Sequence, residues 1–176
     1  TPTTAGPHSA LSLQVDASDG RGLDRIVANI YRDGVLVKST QTKVGGATAG
    51  THAATVTLPD GSYAIRYNAQ DTAGNIAQTN TFAVTIDATP PTVTVKEGAA
   101  FTTAVGSGYG QVSFKLYDAG KIDRLTLNGV EKDLSDNAWS DLNFVNPGAF
   151  GGLAGSNTLI VYDVAGNATT TEFTLQ

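Results

Sequence analysis

The side chains best suited to hold a ligand lie in one short stretch of the chain. Trp139 is the only tryptophan, and Asp141, Asn143 and Phe150 follow it closely. An exposed indole ring stacks against a sugar ring, while carboxylate and amide groups exchange hydrogen bonds with sugar hydroxyls. These four residues are therefore a candidate glycan-binding site. In the alternative, Trp139 is buried and anchors a loop that has little regular structure of its own.

Aspartates at the ends of predicted strands are candidate metal ligands. Calcium prefers oxygen ligands from loop carboxylates and carbonyls. Four aspartates of the first half are suited to this role: Asp16, Asp19, Asp71 and Asp87. The spaced D-x-D-x-D-G motif of a calcium loop is missing, however. In the alternative, Asp71 accepts hydrogen bonds from backbone amides of its own turn. We therefore expect no cofactor unless these aspartates bind calcium.

The titratable residues do not form a recognisable catalytic arrangement. His8 and His52 fall in a predicted linker and at a predicted strand edge, with no nucleophile arranged around them. Asp133, Asp136 and Asp141 are close in sequence, but paired catalytic carboxylates need a cleft that holds them about 5–10 Å apart. Solvation on a loop explains these aspartates without a reaction. We therefore expect that the chain is not an enzyme.

Composition restricts the partners further. The chain has 176 residues, a net charge of −5 and no cysteine. An acidic chain is unsuited to nucleic acid, whose phosphates attract a basic surface. No apolar run approaches the ~18–20 residues that cross a bilayer, so we expect no membrane insertion. The chain lacks methionine and begins at Thr1, so we expect a piece of a longer, exported precursor.

Two sequence strings recur in the same order and indicate a duplicated unit. The motif D-x-A-G-N occupies residues 71–75 and again residues 163–167. The string L-D-R-I at residues 23–26 returns as I-D-R-L at residues 122–125. Each copy of D-x-A-G-N follows an apolar strand pattern, so it predicts a hairpin turn with its glycine at positive φ.

Alternating apolar residues and regularly spaced turn signals predict short strands throughout. The sequence therefore predicts an all-β chain of two tandem β-sandwich domains, with a linker remnant at residues 1–7, domains at residues 8–88 and 89–176, and a proline-stiffened joint at Pro90 and Pro91. Residues 135–157 are expected to form a long irregular insertion in domain 2. A helical turn beginning at Ser135 or Asp136 is expected inside it.

The order of these motifs resembles the bacterial immunoglobulin-like domains that are strung in tandem in secreted and cell-surface proteins. The resemblance rests on D-x-A-G-N, on an acidic residue at Asp87 and on T-P-P-T-V-T-V at residues 89–95. The matching residues of the motif are Asp71, Gly74 and Asn75 in the first copy, and Asp163, Gly166 and Asn167 in the second. The resemblance implies a seven-stranded, immunoglobulin-like Greek-key β-sandwich for each domain.

The resemblance also implies a role. It indicates a non-catalytic structural and interaction module, secreted or at the cell surface. Such a module would be the accessory tail of a larger exported bacterial protein, for example a polysaccharide-acting enzyme. Its expected partners are a polysaccharide or cell-surface glycan and the other domains of the parent protein. The alternative is a rigid stalk segment of an adhesin, stiffened by calcium.

Overall fold

The computed structural model describes residues 6–176, and this part of the chain contains strands and turns but no helix. The chain divides into two compact units between Ala88 and Thr89. Most of the linker predicted at residues 1–7 lies outside the described residues. Pro7 is an exception, because it belongs to a short strand that pairs with the last strand of unit 1.

Unit 1 is a sandwich of two antiparallel-paired layers. Its strands are β1 (Pro7–His8), β2 (Leu11–Ser18), β3 (Leu23–Arg32), β4 (Val35–Lys43), β5 (Ala49–Val56), β6 (Gly61–Asp71), β7 (Ile76–Gln78) and β8 (Phe82–Ile86). One sheet has the order β1-β8-β6-β3-β4, with β7 paired to β6, and the other sheet is the pair β2-β5. Only β1 runs parallel to its neighbour.

Alternation along the strands builds the core of unit 1. On β6, Tyr63, Ile65 and Tyr67 are buried while the residues between them are not. They pack against Leu11 and Leu13 of the facing sheet, and burying each large apolar side chain contributes about 1.5–3 kcal/mol. The Tyr63 hydroxyl donates a 2.7 Å hydrogen bond to the Pro59 carbonyl. A tyrosine bonded back to the preceding corner is typical of immunoglobulin-like sandwiches.

Unit 2 uses two long strands where unit 1 uses several shorter ones. Its strands are β9 (Thr92–Val95), β10 (Thr103–Val105), β11 (Gly108–Leu127), β12 (Val130–Val145), β13 (Gly155–Asp163) and β14 (Ala168–Leu175). The first half of β11 pairs with β9, its second half pairs with β13, and β12 pairs with both halves. The β11–β12 register shifts between Tyr117 and Ile122, so the two halves of β11 are separated by an irregular segment.

The two halves of β11 contribute to one core because the sheet folds over on itself. Phe114 and Leu116 from the first half lie in the same buried cluster as Leu125 and Leu127 from the second. Phe173 of β14 closes the cluster, with its ring centre 5.1 Å from that of Phe114. Tilted aromatic pairs at this distance are favourable.

The predicted irregular insertion at residues 135–157 is wrong over much of its length. Strand β12 continues to Val145, and Leu142 and Val145 are buried in the core. Turns and loop occupy only residues 146–154. The predicted helical turn is also wrong, because Ser135 and Asp136 have φ of 59° and 50° and form a bulge where the β11–β12 register shifts.

The recurring strings are structurally equivalent in the two units. Leu23 pairs with Asp71 in unit 1, and Ile122 pairs with Asp163 in unit 2. Gly74 has φ of 93° and Gly166 has φ of 89°. The predicted positive φ is therefore confirmed at both D-x-A-G-N turns.

Candidate ligand-binding face of unit 2

Three neighbouring strands of unit 2 form an exposed face that carries Trp139. The ladder aligns β9, β11 and β12 so that two rows of side chains cross them. The rows are Thr92, Tyr117 and Trp139, and then Thr94, Lys115 and Asp141. We call these two rows, with Asn143 at the end of β12 and Lys96 at the end of β9, the Trp139 face. Leu142 points into the core, so its neighbours Asp141 and Asn143 point outward.

Trp139 is a surface residue. Its side chain is 66% exposed, so the alternative in which it is buried is wrong. The indole ring packs beside the Tyr117 ring, with 4.2 Å between ring centres and 39° between planes. Because Trp139 and Tyr117 are also directly paired across β11 and β12, the ring is held by strands rather than by a loop.

Lys96 joins the polar side chains of the face. Its Nζ donates hydrogen bonds to Asp141 Oδ2 at 2.8 Å and to Asn143 Oδ1 at 3.0 Å. The Lys96 side chain is only 11% exposed, and its Nζ lies 4.4 Å from the centre of the Phe101 ring. These contacts neutralise the Asp141 carboxylate and fix its orientation.

An open depression of about 480 Å³ lies beside the indole ring. It is lined by Lys115, Trp139, Ser140 and Asp141. Among the residues that the structure describes, Lys115 forms no salt bridge. The depression therefore combines an aromatic ring, a neutralised carboxylate and an ammonium group that is available to a ligand.

Phe150 is not part of this face. It lies in the loop at residues 146–154 and packs against the core of unit 2. Its ring centre is 5.9 Å from the Nζ of Lys132, close to the hairpin that joins β11 and β12. The structure thus brings Trp139, Asp141 and Asn143 together and places Phe150 elsewhere, because the intervening residues form a strand that carries it away.

Sequence analysis missed five residues of the face: Thr92, Thr94, Lys96, Lys115 and Tyr117. All of them except Lys96, which follows β9, lie on alternating strands, so their outward direction was open to inference from the period of two. Their proximity to Trp139 depends on the register between β9, β11 and β12. A single sequence gives no signal for that register.

The aspartates proposed as calcium ligands are engaged locally. Asp16 Oδ1 accepts a hydrogen bond from Thr51 Oγ1 at 2.5 Å, and Asp19 Oδ1 accepts from the amides of Arg21 and Gly22. Within the described residues, Asp16, Asp19 and Asp71 do not gather as a group of three metal ligands.

Asp71 accepts from the amides of Ala73 and Asn75 and from the Asn75 side chain, at 2.6–2.9 Å. These hydrogen bonds, the one from the Asn75 side chain above all, lower the pKa of the Asp71 carboxyl. Asp87 ends unit 1 just after β8, and its amide donates to the carbonyl of His8. Calcium binding by these aspartates remains a prediction.

Unit 2 holds a pair of buried carboxylates that the sequence did not single out as metal ligands. Asp118 and Asp163 are both buried, and their carboxylate oxygens approach within 4.8 Å. Asp163 accepts from the amide and side chain of Asn167, both at 2.7 Å. Two carboxylates offer at most four of the about 6–8 oxygen ligands that calcium takes.

Known proteins resemble the chain in two ways, by matches to family models and by similar solved structures. A bacterial Ig-like domain model matches residues 9–88, and a bacterial Ig-like domain (group 3) model matches residues 52–143. The second match crosses the boundary between the units. No curated protein sequence matches the chain.

Similar solved structures include fibronectin(III)-like modules of Clostridium thermocellum CbhA, at 14% identity and a TM-score of 0.46, covering 100% of this chain and 94% of that one. A second is a tetra-tandem repeat from the extending region of a large adhesion protein, at 19% identity and a TM-score of 0.37, covering 98% of this chain and 46% of that one. A third is a Bacteroides ovatus protein from a mixed-linkage glucan utilization locus in complex with a mixed-linkage heptasaccharide. It has 14% identity and a TM-score of 0.28, covering 100% of this chain and 43% of that one. The described residues include no helix suited to crossing a bilayer. With its two sandwiches, its repeated turn motif and these model matches, the chain belongs to the bacterial Ig-like domains.

Proposed function

We propose that this chain is a non-catalytic accessory module of an exported or cell-surface bacterial protein, and that unit 2 attaches it to a glycan through the Trp139 face. The observation that carries the proposal is the 66% exposure of the only tryptophan, on a strand of a folded sheet. Large exposed aromatic side chains are enriched where proteins bind partners.

Preorganisation supports this role. The ring of Trp139 is held against Tyr117, and Lys96 fixes Asp141 and Asn143. A ligand that binds side chains already held in place loses less conformational entropy from the protein. A flat, rigid face with an aromatic ring at one end is suited to a chain of sugar rings.

The titratable groups favour a non-catalytic role. His52 is buried, with both ring nitrogens 2.9 Å from the hydroxyls of Thr40 and Thr42. Asp141, the acidic residue of the face, is paired with Lys96 at 2.8 Å. General acid or base catalysis needs a group that is free to exchange a proton with a substrate.

Binding of the whole chain to immobilised polysaccharides tests the proposal, with Trp139→Ala as the main variant. We expect Trp139→Ala to weaken binding about tenfold or more, as loss of a central aromatic residue does. Its melting temperature should stay close to that of the wild type because the side chain is exposed. Leu36→Ala, which truncates another exposed apolar residue in unit 1, is the matched control and should bind normally.

Two outcomes would contradict the proposal. In one, Trp139→Ala binds as well as the wild type. In the other, no polysaccharide binds at all, which would leave the rigid-stalk alternative.

A further inference from the structure

Resting on the glycan role proposed above, we propose that the ligand of the Trp139 face is an acidic polysaccharide whose sugar rings carry carboxylate groups. The inference goes beyond glycan binding because it names the charge of the ligand and the residue that binds the charged group. That residue is Lys115.

The charge balance of the face differs from that of the molecule. The chain as a whole has a net charge of −5. The face holds two ammonium groups, on Lys96 and Lys115, and the carboxylate of Asp141. Asp136 lies at the bulge of β12, before the two rows begin, and Glu97 follows Lys96 beyond the end of β9. The Trp139 face is thus locally positive on an acidic protein.

The two lysines have different roles because only Lys96 forms a salt bridge among the described residues. Lys96 is largely buried and donates to both Asp141 and Asn143. Lys115 is exposed, and the described residues provide no salt bridge to it. Since Lys96 already neutralises Asp141, the remaining positive charge in the depression belongs to Lys115 and is available to an anionic group.

The register places this charge next to the aromatic ring. Lys115 pairs with Asp141, while Trp139 pairs with Tyr117 one row away. Trp139 and Lys115 are therefore diagonal neighbours, about 7–8 Å apart along the sheet, and both line the same depression. A sugar ring stacked on the indole would hold a ring carboxylate within reach of the flexible lysine side chain.

Hydroxyl groups on the face fit a polysaccharide better than another anionic partner. Thr92 Oγ1 and Thr94 Oγ1 donate to the carbonyls of Tyr117 and Lys115. Each hydroxyl oxygen keeps lone pairs that accept hydrogen bonds from sugar hydroxyls. The row from Thr92 to Trp139 thus offers stacking and hydrogen bonding, and the adjoining row offers charge.

Affinity electrophoresis of the whole chain tests the inference. The probes are polygalacturonate and alginate, each compared with its carboxyl-reduced neutral form. The variants are Lys115→Gln, which removes the charge, Trp139→Ala, and Lys132→Gln as a matched control on the same unit. Runs at about 50 mM and about 500 mM salt separate screened from unscreened attraction.

We expect at least one acidic polymer to bind more tightly than its reduced form, and high salt to weaken that binding. Lys115→Gln should weaken binding of the acidic polymer about threefold, the effect of one partly exposed charge pair, without changing binding of the neutral form. Lys132→Gln should have no effect. Near-ultraviolet circular dichroism verifies that each variant is folded.

Other results overturn the inference in distinguishable ways. Equal binding of acidic and reduced polymers, unaffected by Lys115→Gln, would overturn the charge preference and leave the glycan role intact. Equal weakening by Lys115→Gln and Lys132→Gln would show general charge attraction rather than a site. Failure of all four polymers to bind would overturn the inference, and binding of the wild type and Trp139→Ala to the immobilised polysaccharides would then decide whether the proposed function fails with it.

Discussion

His52 is a titratable side chain that unit 1 buries. It is 2% exposed, and its Nε2 and Nδ1 atoms each lie 2.9 Å from a threonine hydroxyl, on Thr40 and Thr42. Burial lowers the pKa of His52 below 6.5. The unfolded chain therefore takes up this proton more readily than the folded protein. The resulting stabilisation is complete above pH 6.5 and is lost as the pH falls through the lower pKa of the folded state.

The first prediction concerns this pH dependence. We expect the denaturant midpoint of unit 1 to fall between about pH 7.5 and pH 5, across the range where a histidine titrates. His52→Gln should reduce that fall, because glutamine does not titrate. Denaturant titrations followed by circular dichroism at the two pH values measure the change in midpoint for the wild type and for the variant. Identical pH dependence in wild type and His52→Gln would contradict the assignment.

The second prediction concerns Asp71. Its lowered pKa means that its contribution to stability is present above pH 3.8 and is lost as the pH falls through the lower value of the folded state. We expect Asp71→Asn to lower the melting temperature of unit 1 at pH 7 and to have little effect at acid pH.

Calcium and chelator comparisons separate turn capping from metal binding at Asp71. Because both carboxylate oxygens accept hydrogen bonds within their own turn, the cost of Asp71→Asn should be the same with calcium and with chelator. A cost seen only in calcium would identify Asp71 as a metal ligand.

At the scale of the element, the third prediction concerns the D-x-A-G-N turns. An added Cβ at Gly166 would meet no atom within 4 Å, and one at Gly74 would meet only the Gln70 side chain at 3.9 Å. A Cβ at either position therefore adds no clash, and its cost comes from the positive φ. We expect Gly74→Val and Gly166→Val to destabilise their units by about 1–3 kcal/mol.

Gly20 provides the matched control for these turns. It also has open space around its Cβ direction, but its φ lies outside the left-handed range. Gly20→Val should change stability by no more than about 0.5 kcal/mol. Equal effects at Gly20 and Gly166 would show that positive φ is not the source of the cost.

The strands show which elements a sequence can predict. β6 and β13 alternate or run apolar and end in a recognisable turn, so local patterns predicted them. The part of β12 after Leu134 is not predicted as a strand, because the bulge at Ser135 and Asp136 interrupts the period of two. Pairing with β11 holds the strand on both sides of the bulge. Local propensity does not predict this pairing, because it depends on a separate strand.

The sequence predicts only part of the candidate face, because local spacing is visible in the sequence and strand pairing is not. Trp139, Asp141 and Asn143 are spaced by two, so they share a face once β12 is known to be a strand. Phe150 joins them only in a prediction that treats residues 135–157 as one loop. Lys115 and Lys96 reach the face through pairing that the sequence does not encode locally.

At the scale of the whole molecule, the chain has two separate buried clusters. Leu11, Ile30 and Ile65 belong to the cluster of unit 1, whereas Leu125 and Phe173 belong to that of unit 2. A unit of about 90 residues buries enough surface to fold alone. The candidate face lies entirely within unit 2, so we expect unit 1 to be dispensable for ligand binding.

The last prediction tests whether the two units unfold separately, and the single tryptophan makes it direct. Trp139 lies in unit 2, so its fluorescence reports unfolding of that unit alone, whereas circular dichroism reports both. Ile65→Ala removes a fully buried side chain from unit 1 and should cost about 2–5 kcal/mol. We expect it to create an early transition in circular dichroism and to leave the fluorescence midpoint unchanged. Leu125→Ala, a truncation of equal burial in unit 2, should shift the fluorescence midpoint instead. If Ile65→Ala moved the fluorescence midpoint as far as Leu125→Ala does, the two units would unfold as one cooperative structure, and deletion of unit 1 would then be expected to weaken the Trp139 face as well.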